Sequence, residues 1–235
     1  MSWREFWDGD TPIYVSRRHK LLHYQQIARG INEAIAELPQ LPPGGAVVLD
    51  DGCGEACYAD EVAARCSRLY LCDAAASVRD KLVARFSEIA NITVLNPLGV
   101  ADIPAASLDL VVANSLVQYL TPSEFASALA LWRHALKQNG RLLIADVLPK
   151  GLSPWTDVAA LLRFGAQGGF FFAALAGLVR TALSDYRKLR ADVGLASYDE
   201  GEMIATLADA GFKAHRRRPN LGHNQARMAF LATPR

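Results

Sequence analysis

Residues 46–57 read Ala-Val-Val-Leu-Asp-Asp-Gly-Cys-Gly-Glu-Ala-Cys. Ala46–Asp50 is a short, unbroken apolar run closing on a carboxylate, the pattern of a parallel strand covered on both faces. Gly52 and Gly54 follow. Lacking Cβ, they let the chain turn tightly and bring its backbone close to a ligand, and the helix start beyond them offers free N–H donors. In an open α/β sheet, ligands bind at this place, beyond the carboxyl ends of the strands.

The pattern on either side agrees with such a sheet. Upstream, Leu21, Leu22, Ile27, Ile31 and Ile35 keep near-helical spacing over 17–38, and Pro39, Pro42, Pro43, Gly44 and Gly45 stop the helix. Downstream, helix 58–66, strand 68–72, helix 75–89 and strands 92–95 and 108–113 alternate. Helix 122–137 follows, a stop at Asn139-Gly140, and strand 141–146. This predicts a Rossmann-like, doubly wound α/β sheet. After Asp146 comes a mostly helical stretch, 152–190, then a helix over 199–210. Strands at 212–216 and 227–233 form an antiparallel pair around the turn residues Pro219, Asn220 and Gly222. The expected whole is one domain with a seven-stranded sheet, mostly parallel with an antiparallel C-terminal strand. Its parts are an N-terminal lid and helix (1–44), a cofactor-binding core (45–147), a helical insertion or cap (148–198) and a closing helix and strand pair (199–235).

Composition narrows the partners. Of 235 residues, 51% are hydrophobic and 21% charged, a globular mix that excludes a disordered chain. Lys plus Arg number 25 against 24 Asp plus Glu, so the basic excess that nucleic-acid binding needs is missing, and no nucleic-acid partner is expected. Cys53, Cys57, Cys66 and Cys72 form no C-x-x-C pair and have no nearby histidine; they read as buried free thiols, with no metal site. That usage and an N-terminus without a signal-peptide pattern make the cytoplasm the expected compartment. The longest uncharged run, Phe164 to Val179, spans 16 residues, short of the roughly 20 that cross a bilayer.

The loop at 50–57 selects among nucleotide ligands. A dinucleotide fingerprint would place a third glycine at position 57, which is Cys, and no G-x-x-x-x-G-K-[ST] phosphate loop occurs. Asp73 closes the second strand 21 residues beyond Gly52, where a carboxylate accepts both hydroxyl hydrogens of a ribose. Ribose without a phosphate cradle indicates a nucleoside-containing cofactor other than NAD.

The run VVLDDGCGEA, with Asp73 in LYLCDA, resembles the class I S-adenosylmethionine-dependent methyltransferases. The stretch from Ile103-Pro104 through Asp109 to Asn114 and the strand Gly140–Asp146 strengthen the resemblance, which covers about residues 45–147. It implies S-adenosyl-L-methionine as cofactor. Asp50, Gly52, Cys53 and Gly54 would shape the loop around its methionine part, and Asp73 would hold the ribose with Ala74 beside it. The position that often carries an adenine-contacting Asp falls near Gly99, with Asp102 further along. Asn114 and Ser115 would flank the methyl group, while Gln118 and Tyr119 would face the reaction chamber. Ala56 stands where glycine is common.

The resemblance implies transfer of a methyl group, which an oxygen or weak carbon nucleophile receives more readily with a general base nearby. Histidine is the usual candidate. His134 reads as surface and His215 as structural. His19 and His23 share a helical face four residues apart, and His223 lies in a polar turn before the last strand. His23, Tyr119 and His223 are the catalytic candidates, none of them assigned. The apolar insertion, with Phe170, Phe171 and Phe172, suits a cap over a lipophilic pocket or a contact at a membrane surface through 164–179. In layout it resembles ubiquinone and menaquinone C-methyltransferases. The expected activity is methyl transfer to a small, lipophilic acceptor; the alternatives are methylation of a protein side chain and a non-catalytic cofactor-binding scaffold. The sequence leaves the oligomeric state open.

Overall fold

The computed structural model describes residues 5, 7, 14–39, 41–182 and 194–235. Helix α1 (Arg17–Ala36) begins at Ser16, whose side chain accepts the His19 N–H. It leads to strand β1 (Ala46–Asp51), a short helix α2 (Ala59–Ala63), β2 (Cys66–Cys72), α3 (Ala76–Phe86) and β3 (Ile92–Leu95). A 3-10 turn (Pro97–Asp102) precedes β4 (Leu108–Asn114), and a second (Val117–Tyr119) precedes α4 (Pro122–Ala135). Then follow β5 (Leu136–Val147), α5 (Pro154–Gly168), α6 (Phe171–Ala182), α7 (Glu200–Asp209), β6 (Phe212–Arg217) and β7 (Met228–Pro234).

The seven strands lie in the order β3-β2-β1-β4-β5-β7-β6. The first five are parallel; β7 runs antiparallel to both β5 and β6. This is the doubly wound sheet that the strand–helix alternation predicts. Strand order reverses between β1 and β4, and that is the crevice where such sheets bind ligands. β4 is buried at every residue, as a central strand with helices on both faces must be. One core, with Ile27, Ile31, Val48, Leu69 and Leu71, packs α1 to α3 against one face of the sheet. The other, with Leu49, Val111, Trp132, Ile144 and Phe230, packs α4 and α7 against the opposite face.

Some boundaries differ from the sequence reading. Asn139-Gly140 is no helix stop: α4 ends at Ala135, and both residues lie inside β5. The pairing of β4 with β5 shifts register between Leu108 and Leu110, and a Cβ at Gly140 would come within 2.9 Å of the Leu108 carbonyl oxygen, so glycine is there for close backbone approach. The helical stretch 152–190 divides at Gly169, whose φ of 71° ends α5 in the left-handed conformation. The expected helix beyond 182 and most of the N-terminal lid lie outside the described residues. Among those described, no helix is long and apolar enough to cross a membrane.

Candidate active site

The loop after β1 is held by its neighbour strand. The N–H groups of Gly52 and Cys53 both donate to the Cys72 carbonyl at the end of β2. Asp73, the next residue, accepts the Gly54 N–H through Oδ2 at 3.0 Å and the Ala75 N–H through Oδ1 at 2.9 Å. The Asp73 carboxylate therefore ties the glycine loop to the start of α3. Gly52 and Gly54 have φ of 76° and 58°, and a Cβ on Gly54 would sit 2.5 Å from the Tyr24 hydroxyl. That hydroxyl accepts the Glu55 N–H, so α1 buttresses the loop from below. The role of Tyr24 escapes sequence reading, because only the fold brings α1 under the loop.

Carboxyl groups concentrate here. Asp50 is buried, and desolvation, aided by repulsion from Asp51 and Asp73, pushes its pKa up to about 7. Asp51 and Asp73 are also raised by burial, against the opposing pull of the Trp132 indole and of backbone N–H groups respectively. Trp132 Nε1 donates to Asp51 at 2.8 Å. Ala74 is exposed and its carbonyl accepts from Arg79. Gly99 lies in the turn after β3 with its N–H donated to Asn96, while Asp102 is exposed. The buried Cys53 thiol donates to the Gly54 carbonyl, and its pKa is driven upward by burial.

At the ends of β4 and β5 the backbone is strained. Ser115 and Asp146 have φ of 55° and 59°, positions that side-chain-bearing residues rarely adopt. The Ser115 hydroxyl donates to Asp146 Oδ2 at 2.6 Å. Arg227, just before β7, donates to the same carboxylate at 2.9 Å, to Gln118 Oε1 at 3.3 Å and to Asp157 of α5. Asn220 joins in, its Oδ1 accepting the Asp146 N–H and its Nδ2 donating to the Asp146 carboxylate. Asn114 is buried, and its Oδ1 has no partner. Asp146, Asp157, Asn220 and Arg227 were not among the sequence candidates: each is an ordinary polar residue until the hairpin folds back on β5.

That hairpin also carries His223 to α1. The ring centroids of His19, His23 and His223 lie 6.1 to 6.3 Å from one another. His19 stacks on Phe170 at 5.1 Å and His223 on Phe164 at 4.7 Å, so the insertion roofs the cluster. Tyr14 flanks His19 and His23. Desolvation, with repulsion from neighbouring cations, lowers His19 and His23 to about 4. Burial lowers His223 as well, while the Asp146 and Asp157 carboxylates oppose the fall. The third candidate, Tyr119, lies in the turn after β4 with its ring edge-on to Trp7, 5.6 Å away. His134 and His215 are exposed and apart from the cluster. The run Phe170–Phe172 divides: Phe170 is buried under the roof, while Phe172 is 83% exposed.

Residues 48–140 match the family model described as a methyltransferase domain. The full chain shares its fold with methyltransferases of known structure. A putative methyltransferase of Haloferax volcanii, in complex with the Trm112 methyltransferase activator, is 12% identical with a TM-score of 0.61, over 99% of this chain and 97% of that one. The magnesium protoporphyrin IX methyltransferase of Synechocystis PCC 6803 with bound SAH is 16% identical with a TM-score of 0.56, over 98% and 92% of the two chains. A putative S-adenosylmethionine-dependent methyltransferase of Methanococcus maripaludis is 13% identical with a TM-score of 0.59, over 92% and 88%. Among curated proteins none matches the chain significantly. The match over 48–140 and the shared fold make this chain similar to S-adenosylmethionine-dependent methyltransferases.

The residues present fit that cofactor. The unpartnered buried Asn114 Oδ1 at the switch point lacks a donor that a ligand can supply. The Asp50, Asp51 and Asp73 carboxyls, all held above the usual carboxylate range, form a site whose charge a cationic ligand relieves.

Proposed function

We propose that the protein transfers the methyl group of S-adenosylmethionine to a small, lipophilic acceptor enclosed between the ends of β4 and β5, α1 and the α5–α6 roof. The observation that carries this reading is the roof itself: Phe164 and Phe170 stack on His223 and His19 and cover the cluster with aromatic rings, unlike the open groove that a peptide needs. Asp50, Gly52, Cys53 and Gly54 would cradle the methionine part of the cofactor. Asp73 and Ala74 would meet the ribose, Gly99 the adenine edge, and Asn114 and Ser115 the region of the methyl group.

The cofactor brings a methyl already activated on sulfur. The chain's task is to align the nucleophile with it and exclude water. The Ser115–Asp146–Arg227 network fixes one wall at the strand ends, and the buried aromatic rings keep the opposite wall dry. The layout keeps quinols, the acceptors suggested by likeness to ubiquinone and menaquinone C-methyltransferases, among the compounds to screen. Trp155, Phe172, Leu175 and Val179 leave an exposed apolar stripe on the outside of the roof, suited to a membrane surface that supplies such acceptors.

The test is calorimetric titration with S-adenosylmethionine, S-adenosylhomocysteine and NADH. Micromolar binding of the two sulfur ligands and none of NADH is expected. Methylation of a peptide mixture in preference to lipophilic phenols and quinols would overturn the acceptor assignment.

A further inference from the structure

The three-histidine cluster asks for a ligand of its own. His23 Nδ1 and His223 Nδ1 are both buried without a hydrogen-bond partner, in a structure where buried polar atoms are normally paired. His19 Nδ1 accepts the Val15 N–H at 3.3 Å. A neutral imidazole has one donor and one acceptor nitrogen, so His19 carries its proton on Nε2 and that nitrogen is a donor. This tautomer cannot ligate a metal through Nε2, and among the described residues no group of three or more His, Cys, Asp or Glu could hold a metal ion. The cluster thus combines one fixed donor with two neutral rings whose acceptor capacity is unused.

The three rings are not equivalent. The charges facing His223 are Asp146 from β5, Asp157 from α5 and Arg227 before β7, together with the two α1 histidines. For His23 the charged neighbours are His223 and Arg227, both of which oppose protonation. Among the described residues His19 faces the other two histidines and Tyr14. His223 is the ring with carboxylates beside it to support an added proton.

We propose that His223 is the proton acceptor for methylation of a phenol-type hydroxyl, with His19 and His23 as its neutral hydrogen-bonding partners around that oxygen. This rests on the reading of the protein as a small-molecule methyltransferase and deepens it: a carboxylate acceptor would need no base and would give His23 and His223 nothing to accept. In the step, the hydroxyl proton passes to a ring nitrogen of His223. The oxygen forms the new bond to the methyl carbon, and the electron pair of the broken carbon–sulfur bond stays on sulfur. Charge on His223 is then balanced by Asp146 and Asp157.

The test uses the full chain saturated with S-adenosylhomocysteine and two probes: 4-nitrophenol, whose ionised form is coloured, and its methyl ether 4-nitroanisole. The wild type is expected to bind the phenol at least tenfold tighter than the ether and to colour it at a pH where the free phenol is mostly neutral. His223→Gln should lose the colour and keep S-adenosylhomocysteine binding. Equal binding of phenol and ether, or retained colour in His223→Gln, would overturn the proposal. Nitrogen-15 spectra of the wild-type imidazoles decide the matter without a variant: 4-nitrophenol should convert the His223 ring alone to its protonated pattern. Stoichiometric zinc shifting all three rings would make the cluster a metal site instead. If S-adenosylhomocysteine itself fails to bind, the underlying methyltransferase reading fails; if it binds and only the phenol effects are missing, this inference alone falls.

Discussion

The Asp73 carboxylate pins Gly54 and Ala75 through their N–H groups, and on the proposed function it must also reach a ligand. Asp73→Ala should weaken S-adenosylhomocysteine binding by about 2 kcal/mol or more, the scale of hydrogen bonds to a charged group. Calorimetry checks this, and unchanged affinity in a folded variant would remove Asp73 from the site. Arg227 raises a different expectation. Its guanidinium lies between Asp146 and Asp157, and its side chain is 16% exposed. Arg227→Met leaves two carboxylates facing each other without their cation, which should cost about 3 kcal/mol in urea unfolding. Glycine spacing and a well-placed carboxylate made the first of these residues legible in the sequence. Nothing did so for Arg227, because an ion pair over a long sequence separation has no local signature.

At the level of elements, the roof gives the sharpest contrast. Phe170 and Phe172 are two residues apart, yet one is buried against Phe164 and His19 and the other faces solvent. Phe170→Ala should destabilise the protein by about 3 kcal/mol, whereas Phe172→Ser should stay within about 0.5 kcal/mol. Thermal unfolding of the two variants separates them. If the outer stripe meets a membrane, Phe172→Ser should also reduce sedimentation with anionic vesicles. The alternating strands were readable because each is a short apolar run bounded by turn residues. β5 was read too short for a physical reason: its first part includes Asn139 and Gly140, whose intrinsic preference is for helix ends, and pairing with β4 overrides that preference. The short α2 was likewise overestimated, with the loop extending to Tyr58 and taking Ala56 into a φ of 38°.

For the whole molecule, opposing titrations share one pH range. Unfolded histidine titrates near 6.5. His19 and His23, at about 4 when folded, leave unfolded chains holding more protons between those values. Their contribution to stability is therefore full above pH 6.5 and is lost as pH falls toward 4. Asp50 runs the other way. Raised to about 7, it keeps a proton in the folded state that the unfolded carboxyl releases near 4, so its contribution is full below pH 4 and is lost as pH rises through 7. The two slopes offset each other. His19→Gln with His23→Gln should leave a protein whose stability gains on going from pH 7 to 5, and Asp50→Asn should steepen the loss over the same range. Urea midpoints at the two pH values check both. An unchanged profile in both variants would mean that these groups titrate alike in folded and unfolded chains.

Strand β7 follows every other strand in the chain yet lies between β5 and β6. Because a protein is synthesised from its N-terminus, the strands β1, β2 and β4 and the loop assigned to the cofactor are complete while His223 and Arg227 are still to be made. On the proposed function, the residues of the cofactor loop thus come early in the chain, while those of the acceptor side come with the hairpin that ends in Met228–Pro234, which pairs with β5. On the proposed function, a chain that stops short of β7 holds the cofactor loop without the residues assigned to the acceptor.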